Sequence, residues 1–201
     1  MTLTLVFGVL SILMTVISRA NYFYAVWQGK TKPHAFSWFI WGTVSSIGTA
    51  AQVLEGAGAG AWARILASIS NFVLAGVALR RDMRVNIRPV DWATLAVALL
   101  AIPLWIATKT PVWSVILVCI IDTIGYVPTL RKSWHRPHEE TARSYTLSAF
   151  SAIFSVLAVE HYSLSTWLYP AVLGVTNVGM VAYLLTRRRS HARKQKAAGA
   201  A

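Results

Sequence analysis

Two asparagines lie inside long apolar stretches of the sequence, Asn71 in Ser-Ile-Ser-Asn-Phe and Asn177 in Gly-Val-Thr-Asn-Val. Each side-chain amide offers two donors and two acceptor lone pairs, which suit the hydroxyls of a sugar or the amide of a vitamin. A polar group in hydrocarbon is costly unless it faces a partner or an aqueous cavity, so both amides are predicted to point into a helix bundle. The alternative is that each asparagine only bonds a neighbouring helix, a contact worth about 0.6 kcal/mol.

Aromatic and hydroxyl side chains add further candidates for solute binding. Trp38 and Trp41 are three residues apart and share a helix face, and aromatic planes commonly bind the apolar faces of sugars or nucleosides. Trp38 is near the start of its helix and is predicted to mark the head-group belt, so Trp41 is the better site candidate. Aligning the two halves of the sequence sets Ser148 against Trp41, so the predicted pocket is aromatic on one side and small and polar on the other. Ser45 and Ser151 are weaker candidates, because serine in a membrane helix often bonds its own backbone.

Two ionisable residues within apolar stretches are Arg19 and Asp122. The two halves of the sequence are offset by about 104 residues, so position 19 corresponds to position 123 (19 plus 104), one residue from Asp122. Each would cost about 2.5 to 3.5 kcal/mol if isolated at a helix centre. One interpretation is a structural ion pair, or snorkelling by Arg19. The other is that Asp122 takes up a proton and couples solute movement to it.

The candidate residues belong to an approximate duplication of the sequence. Tyr22 and Tyr126 are 104 residues apart (126 minus 22), and the asparagines are 106 apart (177 minus 71). These offsets indicate two copies of one three-helix unit, with the working site where the copies meet. Pro128 occurs only in the second copy, where it can act as a bend or hinge. Tyr22, Tyr126 and Pro128 are therefore assigned to gating or coupling, together with Arg19 and Asp122.

Membrane helices must position these residues. The 201-residue chain is 56% apolar and only 13% charged, which is typical of a polytopic membrane protein. A bilayer span needs about 20 apolar residues. The sequence predicts seven spans, at about 3–27, 35–52, 61–79, 92–107, 111–130, 145–159 and 164–185. The predicted fold is all-α, with two parallel triple-helix bundles joined by a linker helix. The first bundle is predicted at 1–88, the linker helix at 89–110 and the second bundle at 111–186. A basic, disordered cytoplasmic tail is predicted at 187–201.

The positive charges predict the orientation of the helices. An amino terminus outside the cell puts sixteen of the nineteen Lys and Arg residues in cytoplasmic segments, leaving Arg19, Arg64 and Lys109 elsewhere. The formal charge of +12 is therefore interpreted as a topology signal. The basic tail is expected to lie near anionic lipid head groups, each basic residue contributing about 1 kcal/mol there. The partners expected are the lipid bilayer and a small solute, with no nucleic acid.

Enzyme chemistry finds little support in the sequence. The histidines lack metal-ligand spacing, since four fall in predicted cytoplasmic segments and His161 at the opposite end of a helix. No serine, histidine and acid set is predicted to converge at one depth. The last predicted span contains no lysine that could hold retinal. The single cysteine, Cys119, excludes a disulfide framework within the chain. We therefore expect no enzyme activity, no cofactor and no metal.

Three features resemble the PQ-loop and SWEET transporter superfamily over nearly the whole chain. They are the polar turns at 30–34 and 136–138, the Tyr-Val-Pro-Thr at 126–129, and one asparagine in the third helix of each unit. The resemblance implies triple-helix bundles and a substrate site lined by Asn71 and Asn177. The Pro-Gln dipeptide that names the family is absent, since 128–129 is Pro-Thr and the aligned 24–25 is Tyr-Ala. Vitamin transporters of the nicotinamide riboside type share the seven-helix plan.

The function expected from the sequence is transport of a small neutral polar solute, such as a sugar, by alternating access at a midplane site between the repeats. A vitamin or nucleoside transporter is one alternative, and a non-transporting receptor or assembly protein is another. The expected location is a bacterial inner membrane. Oligomeric state stays open, with a homo-oligomer among the alternatives.

Overall fold

A computed structural model describes residues 3–80, 89–99, 101–108 and 111–198. Within these residues the chain is all-helical, with no β-strand. The α-helices of this described part are α1 (Leu3–Trp27), α2 (Ala35–Leu54), α3 (Trp62–Arg80), α4 (Pro89–Leu99), α5 (Ala101–Thr108), α6 (Pro111–Ile124), α7 (Tyr126–His135), α8 (Ala142–Leu157) and α9 (Leu164–Ala198). Two short 3-10 helices span Gly58–Ala61 and Pro137–Glu139. The predicted basic connector at 81–88 and the predicted turn at 109–110 lie outside the described residues.

Three helical segments in the described part of the chain are long and apolar enough to cross a membrane: Leu3–Trp27, Gly58–Arg80 and Leu164–Arg193. Their exposed faces carry large apolar side chains, whereas polar side chains point inward. On α1, for example, Leu13 and Ile17 are exposed, while Ser11 is fully buried. Apolar groups outside and polar groups inside suit an apolar solvent, because buried polar groups can then bond one another. The chain therefore has the character of a helical membrane protein.

The helix predicted at 111–130 is broken into α6 and α7 by a turn at Gly125. Pro128 explains the break, because it has no N–H to bond the carbonyl of Ile124 one turn earlier. Gly125 also lets Trp41 approach closely, since an added Cβ would lie 2.8 Å from the indole Nε1. The helix predicted at 92–107 is described on the two sides of residue 100, as α4 and α5.

The helices pack in two groups of three. In the first group α3 contacts both α1 and α2, and in the second α9 contacts both α6 and α8. The groups meet through α1 against α8 and through α2 against α6. If α1, α2 and α3 are matched in that order with α6, α8 and α9, each helix contact in the first group corresponds to one in the second. The packing therefore repeats approximately between the two groups.

The basic tail differs from the sequence expectation. Residues 187–198, which were predicted to be disordered, continue α9 as a helix. Arg187 stacks on Trp134, with its guanidinium carbon 3.6 Å from the ring centroid. Arg188 donates to the carbonyl of Pro137 at 3.1 Å and also to that of Glu140. Lys, Arg and Ala are strong helix formers, and cations are favourable near a helix carboxyl terminus, so the helix continues.

Candidate functional site

A cavity of about 50 Å³ lies between the two groups of helices. Every helix of both groups contributes to its wall, together with α7. The lining residues are Thr15, Ser18, Arg19, Tyr22, Trp38, Trp41, Ser45, Arg64, Asn71, Asp122, Tyr126, Ser144, Tyr145, Ser148, Tyr169, Leu173 and Asn177. All the site residues predicted from the sequence are in this set except Ser151 and Pro128. The lining is polar, and it is contributed by residues far apart in the chain.

Both asparagines are buried at the cavity, with Asn71 on α3 and Asn177 on α9. The amide nitrogen of Asn71 donates to the hydroxyl of Ser45 at 3.3 Å, but its Oδ1 accepts no hydrogen bond in the described part of the chain. Asn177 donates to the carbonyl of Leu173 in its own helix at 2.7 Å. Ser45 also donates to the carbonyl of Trp41. A buried acceptor without a donor is costly, so Asn71 would favour a solute that donates to it.

The two predicted serines of α8 have different surroundings. Ser148 is at the cavity, where its hydroxyl lies 2.8 Å from that of Ser18. Ser151 lies away from the cavity, with its hydroxyl 2.7 Å from that of Thr15. Ser151 also donates to the carbonyl of Ser11 at 3.0 Å. We therefore assign Ser151 to the contact between α1 and α8, because that helix contact takes up its hydrogen-bonding capacity.

Aromatic side chains form one end of the cavity. Trp38, expected at the head-group belt, is instead 3% exposed and lines the cavity. Its ring centroid is 5.1 Å from that of Trp41, which in turn is 4.7 Å from that of Tyr126. The centroid of Tyr145 is 6.4 Å from that of Tyr126. Aromatic rings thus come from both groups of helices, whereas the sequence predicted them on one side only. The alignment of Tyr145 with Trp38 (145 minus 38 is 107) could have revealed this.

Three charged side chains line the cavity: Arg19, Arg64 and Asp122. The guanidinium carbon of Arg19 lies 5.1 Å from the ring centroid of Trp38. Asp122 accepts a hydrogen bond from the hydroxyl of Tyr169 at 3.2 Å. The ion pair considered for Arg19 and Asp122 is not found between these two described side chains. Sequence reasoning missed Arg64, although it is a rare basic residue inside an apolar stretch.

A buried network of hydrogen bonds closes the end of the cavity towards the carboxyl terminus of α1. Its centre is Glu140, whose Oε2 accepts from the hydroxyls of Tyr22 at 2.9 Å and Tyr145 at 3.3 Å. Its Oε1 pairs with Lys132, which also donates to the backbone carbonyl of Lys32. Lys132 and Glu140 were missed because they fall in a segment predicted to be a solvated basic loop. The network joins α1 to α7 and α8, and so links the two groups of helices.

An apolar cluster joins α2 to α6 beside the cavity. Ile40 and Val44 of α2 pack there against Val118 and Ile121 of α6. All four side chains are almost completely buried. Pro128, which was predicted to gate the site, is buried on α7 but does not line the cavity. The two groups of helices are therefore joined by the polar network at one end of the cavity and by apolar packing beside it.

The fold and the site define a helical membrane protein with a cavity between its two groups of helices that is lined by polar and aromatic side chains. Among the described residues no cluster of three or more His, Cys, Asp or Glu could hold a metal ion. No protein-family model matches the chain, and no curated protein or solved structure matches it either.

Proposed function

We propose that the protein is a membrane transporter that moves a small polar solute by alternating access between its two groups of helices. The observation that carries this proposal is the polar cavity, which is buried between the groups and lined by both of them. Polar side chains are costly inside a membrane protein unless they serve a solute, an ion or a structural contact. The amide of Asn71 has an unused acceptor at this position.

The repeated packing supports a 3+1+3 plan. The groups α1–α3 and α6–α9 would be the two repeats, α6 and α7 forming one bent span, and α4 with α5 would be the linker. We place the amino terminus outside and the carboxyl terminus inside, as the positive charges favour. A bacterial inner membrane is the proposed location. The same plan underlies the resemblance to the PQ-loop and SWEET superfamily.

The contacts between the two groups of helices offer a mechanism. Opening towards the cytoplasm would separate Glu140 from Tyr22 and Lys132 from the carbonyl of Lys32. Opening to the outside would separate the two groups at the helix ends remote from this network, while the polar network stays intact. Rocking of one repeat against the other about a central site would alternate these states.

The test is solute uptake into proteoliposomes, using a panel of sugars, amino acids, vitamins and small organic acids. Purified protein is expected to carry at least one solute class faster than protein-free liposomes do. Asn71→Ala and Asn177→Ala should each lower that uptake by about tenfold, because losing one or two hydrogen bonds costs about 1 to 2 kcal/mol. Thr146→Ala, at an exposed position on α8, is the matched control and should transport normally.

Uptake that is unchanged in both asparagine variants would refute the site assignment. If the protein moves no solute of the panel, yet a solute still raises its melting temperature in detergent, the protein is a receptor rather than a transporter. Melting temperatures of all variants must be measured alongside uptake, so that lost transport is not confused with unfolding.

A further inference from the structure

The cavity carries more positive than negative charge. Among the described lining residues, Arg19 and Arg64 are the cationic side chains and Asp122 is the one carboxylate. The formal charge of the lining is therefore +1, from two guanidinium groups and one carboxylate. Arg64 is 7% exposed, so water outside the protein screens it poorly.

Neither guanidinium has a carboxylate partner. Among the described residues no ion pair within 4.0 Å includes Arg19 or Arg64, and the Nε of each is buried without a hydrogen bond. The two guanidinium groups repel each other electrostatically. Asp122 attracts Arg64, but its one hydrogen bond within the described part of the chain comes from Tyr169. Asp122 therefore offsets the charge of Arg64 only in part, and it forms an ion pair with neither arginine among the described residues.

An uncompensated charge in a membrane interior is costly, and a bound anion would offset that cost. A guanidinium presents planar N–H donors that match a carboxylate, often through two parallel hydrogen bonds. One monoanion would bring the formal charge of the filled cavity to zero. The free acceptor of Asn71 could receive a hydrogen bond from a hydroxyl on the same ligand.

The size of the cavity limits the ligand. A volume of about 50 Å³ is small, since a cavity needs about 10 to 15 Å³ of such volume to hold a single water. A sugar ring would need the cavity to widen considerably, whereas a carboxylate with two or three carbons needs the least expansion.

We propose that the cavity binds a small organic monocarboxylate, held by Arg19 and Arg64. This inference rests on the proposed transport function. It assigns an anionic solute, whereas the sequence predicted a neutral one. Sequence reasoning favoured a neutral solute because it did not place Arg64 at the site.

Binding is tested by tryptophan fluorescence, because Trp38 and Trp41 line the cavity. Detergent-solubilised protein is titrated at constant ionic strength with acetate and glycolate, and with their neutral analogues acetamide and glycolamide. The carboxylates are expected to bind at least tenfold more tightly than the amides. Inorganic phosphate serves as the competing anion and should bind more weakly than either carboxylate.

Arg19→Gln and Arg64→Gln should each weaken carboxylate binding at least tenfold and leave amide binding unchanged. Arg80→Gln is the matched control, because Arg80 is exposed at the end of α3, and it should bind like the wild type. Arg64→Lys keeps the positive charge, so it should retain part of the affinity. It serves as the test variant if the glutamine variant does not fold.

Equal affinity for carboxylates and amides would overturn the proposal, as would wild-type carboxylate binding in both glutamine variants or binding of phosphate alone. Uptake into proteoliposomes separates this proposal from the proposed function. Carboxylate binding without uptake of any solute would uphold the ligand class and refute transport. Arginine-independent uptake of neutral solutes alone would uphold transport and refute the ligand class.

Discussion

Replacing Lys132 by methionine should destabilise the protein far more than the same replacement at Lys32. Lys132 pairs with Glu140, and their side chains are 2% and 0% exposed. Lys32 pairs with Glu139 at 2.9 Å, but those side chains are 43% and 20% exposed. Methionine keeps the length of the side chain and removes its charge. The two variants therefore compare a buried ion pair with a partly exposed one, and the carboxylates of the two pairs are adjacent in the sequence.

The expected magnitudes follow from the surroundings of each carboxylate. Lys132→Met leaves Glu140 buried and without its counter-ion, a change that typically costs about 3 to 5 kcal/mol. The hydroxyls of Tyr22 and Tyr145 still donate to Glu140, which favours the lower end of that range. Lys32→Met should cost at most about 1 kcal/mol, because solvent screens an exposed pair. Adding Glu140→Gln to Lys132→Met should recover much of the lost stability, since no charge is then left buried.

The assay is equilibrium unfolding by sodium dodecyl sulfate in mixed micelles, monitored by tryptophan fluorescence. Nine tryptophans supply the signal. Wild type, both single variants and the double variant form the set, and the free energy of unfolding is compared under one micelle composition. The reasoning is refuted if Lys132→Met loses no more stability than Lys32→Met, or if the double variant is less stable than Lys132→Met alone.

Two further predictions concern the surroundings of Asp122. If Asp122 carries a proton with the solute, an imposed pH gradient that is acidic outside should drive uptake, and Asp122→Asn should abolish this dependence; equal uptake with and without the gradient would exclude coupling. Gly48→Ala should destabilise the protein by about 1 to 3 kcal/mol, because the added Cβ would lie 2.7 Å from the ring of Tyr169, which bonds Asp122. Its control is Gly76→Ala, where a Cβ meets no atom within 4 Å and stability in the same unfolding assay should not fall; equal losses in both variants would contradict the packing argument.

Many properties of the site follow from local sequence. The long apolar runs alone indicate membrane helices, because a backbone in hydrocarbon must satisfy its hydrogen bonds internally. The burial of Asn71 and Asn177 could be predicted for the same reason, since a polar amide within an apolar run avoids lipid. A bend at Pro128 was also foreseeable, because a proline inside a helix lacks the N–H that would bond the carbonyl one turn earlier.

The surroundings of individual polar residues depend on tertiary packing. Ser148 and Ser151 are three residues apart on one helix, yet only Ser148 lines the cavity, because α1 covers Ser151. The sequence does not reveal how neighbouring helices are rotated against each other. Polar residues of similar type therefore have different surroundings that could not be distinguished beforehand.

The charged residues of the site were likewise predictable from the sequence only in part. The sequence alone determined that this is a chain of apolar helices with a few ionisable residues inside them. Only the tertiary structure decided that Arg64 lies at the cavity and that Lys132 is paired with Glu140 at its end. The reason is that burial and pairing of a charge depend on side chains that other helices bring near it. Those neighbours are determined by the packing of the helices, as for Tyr22 and Glu140, which are 118 residues apart in the chain.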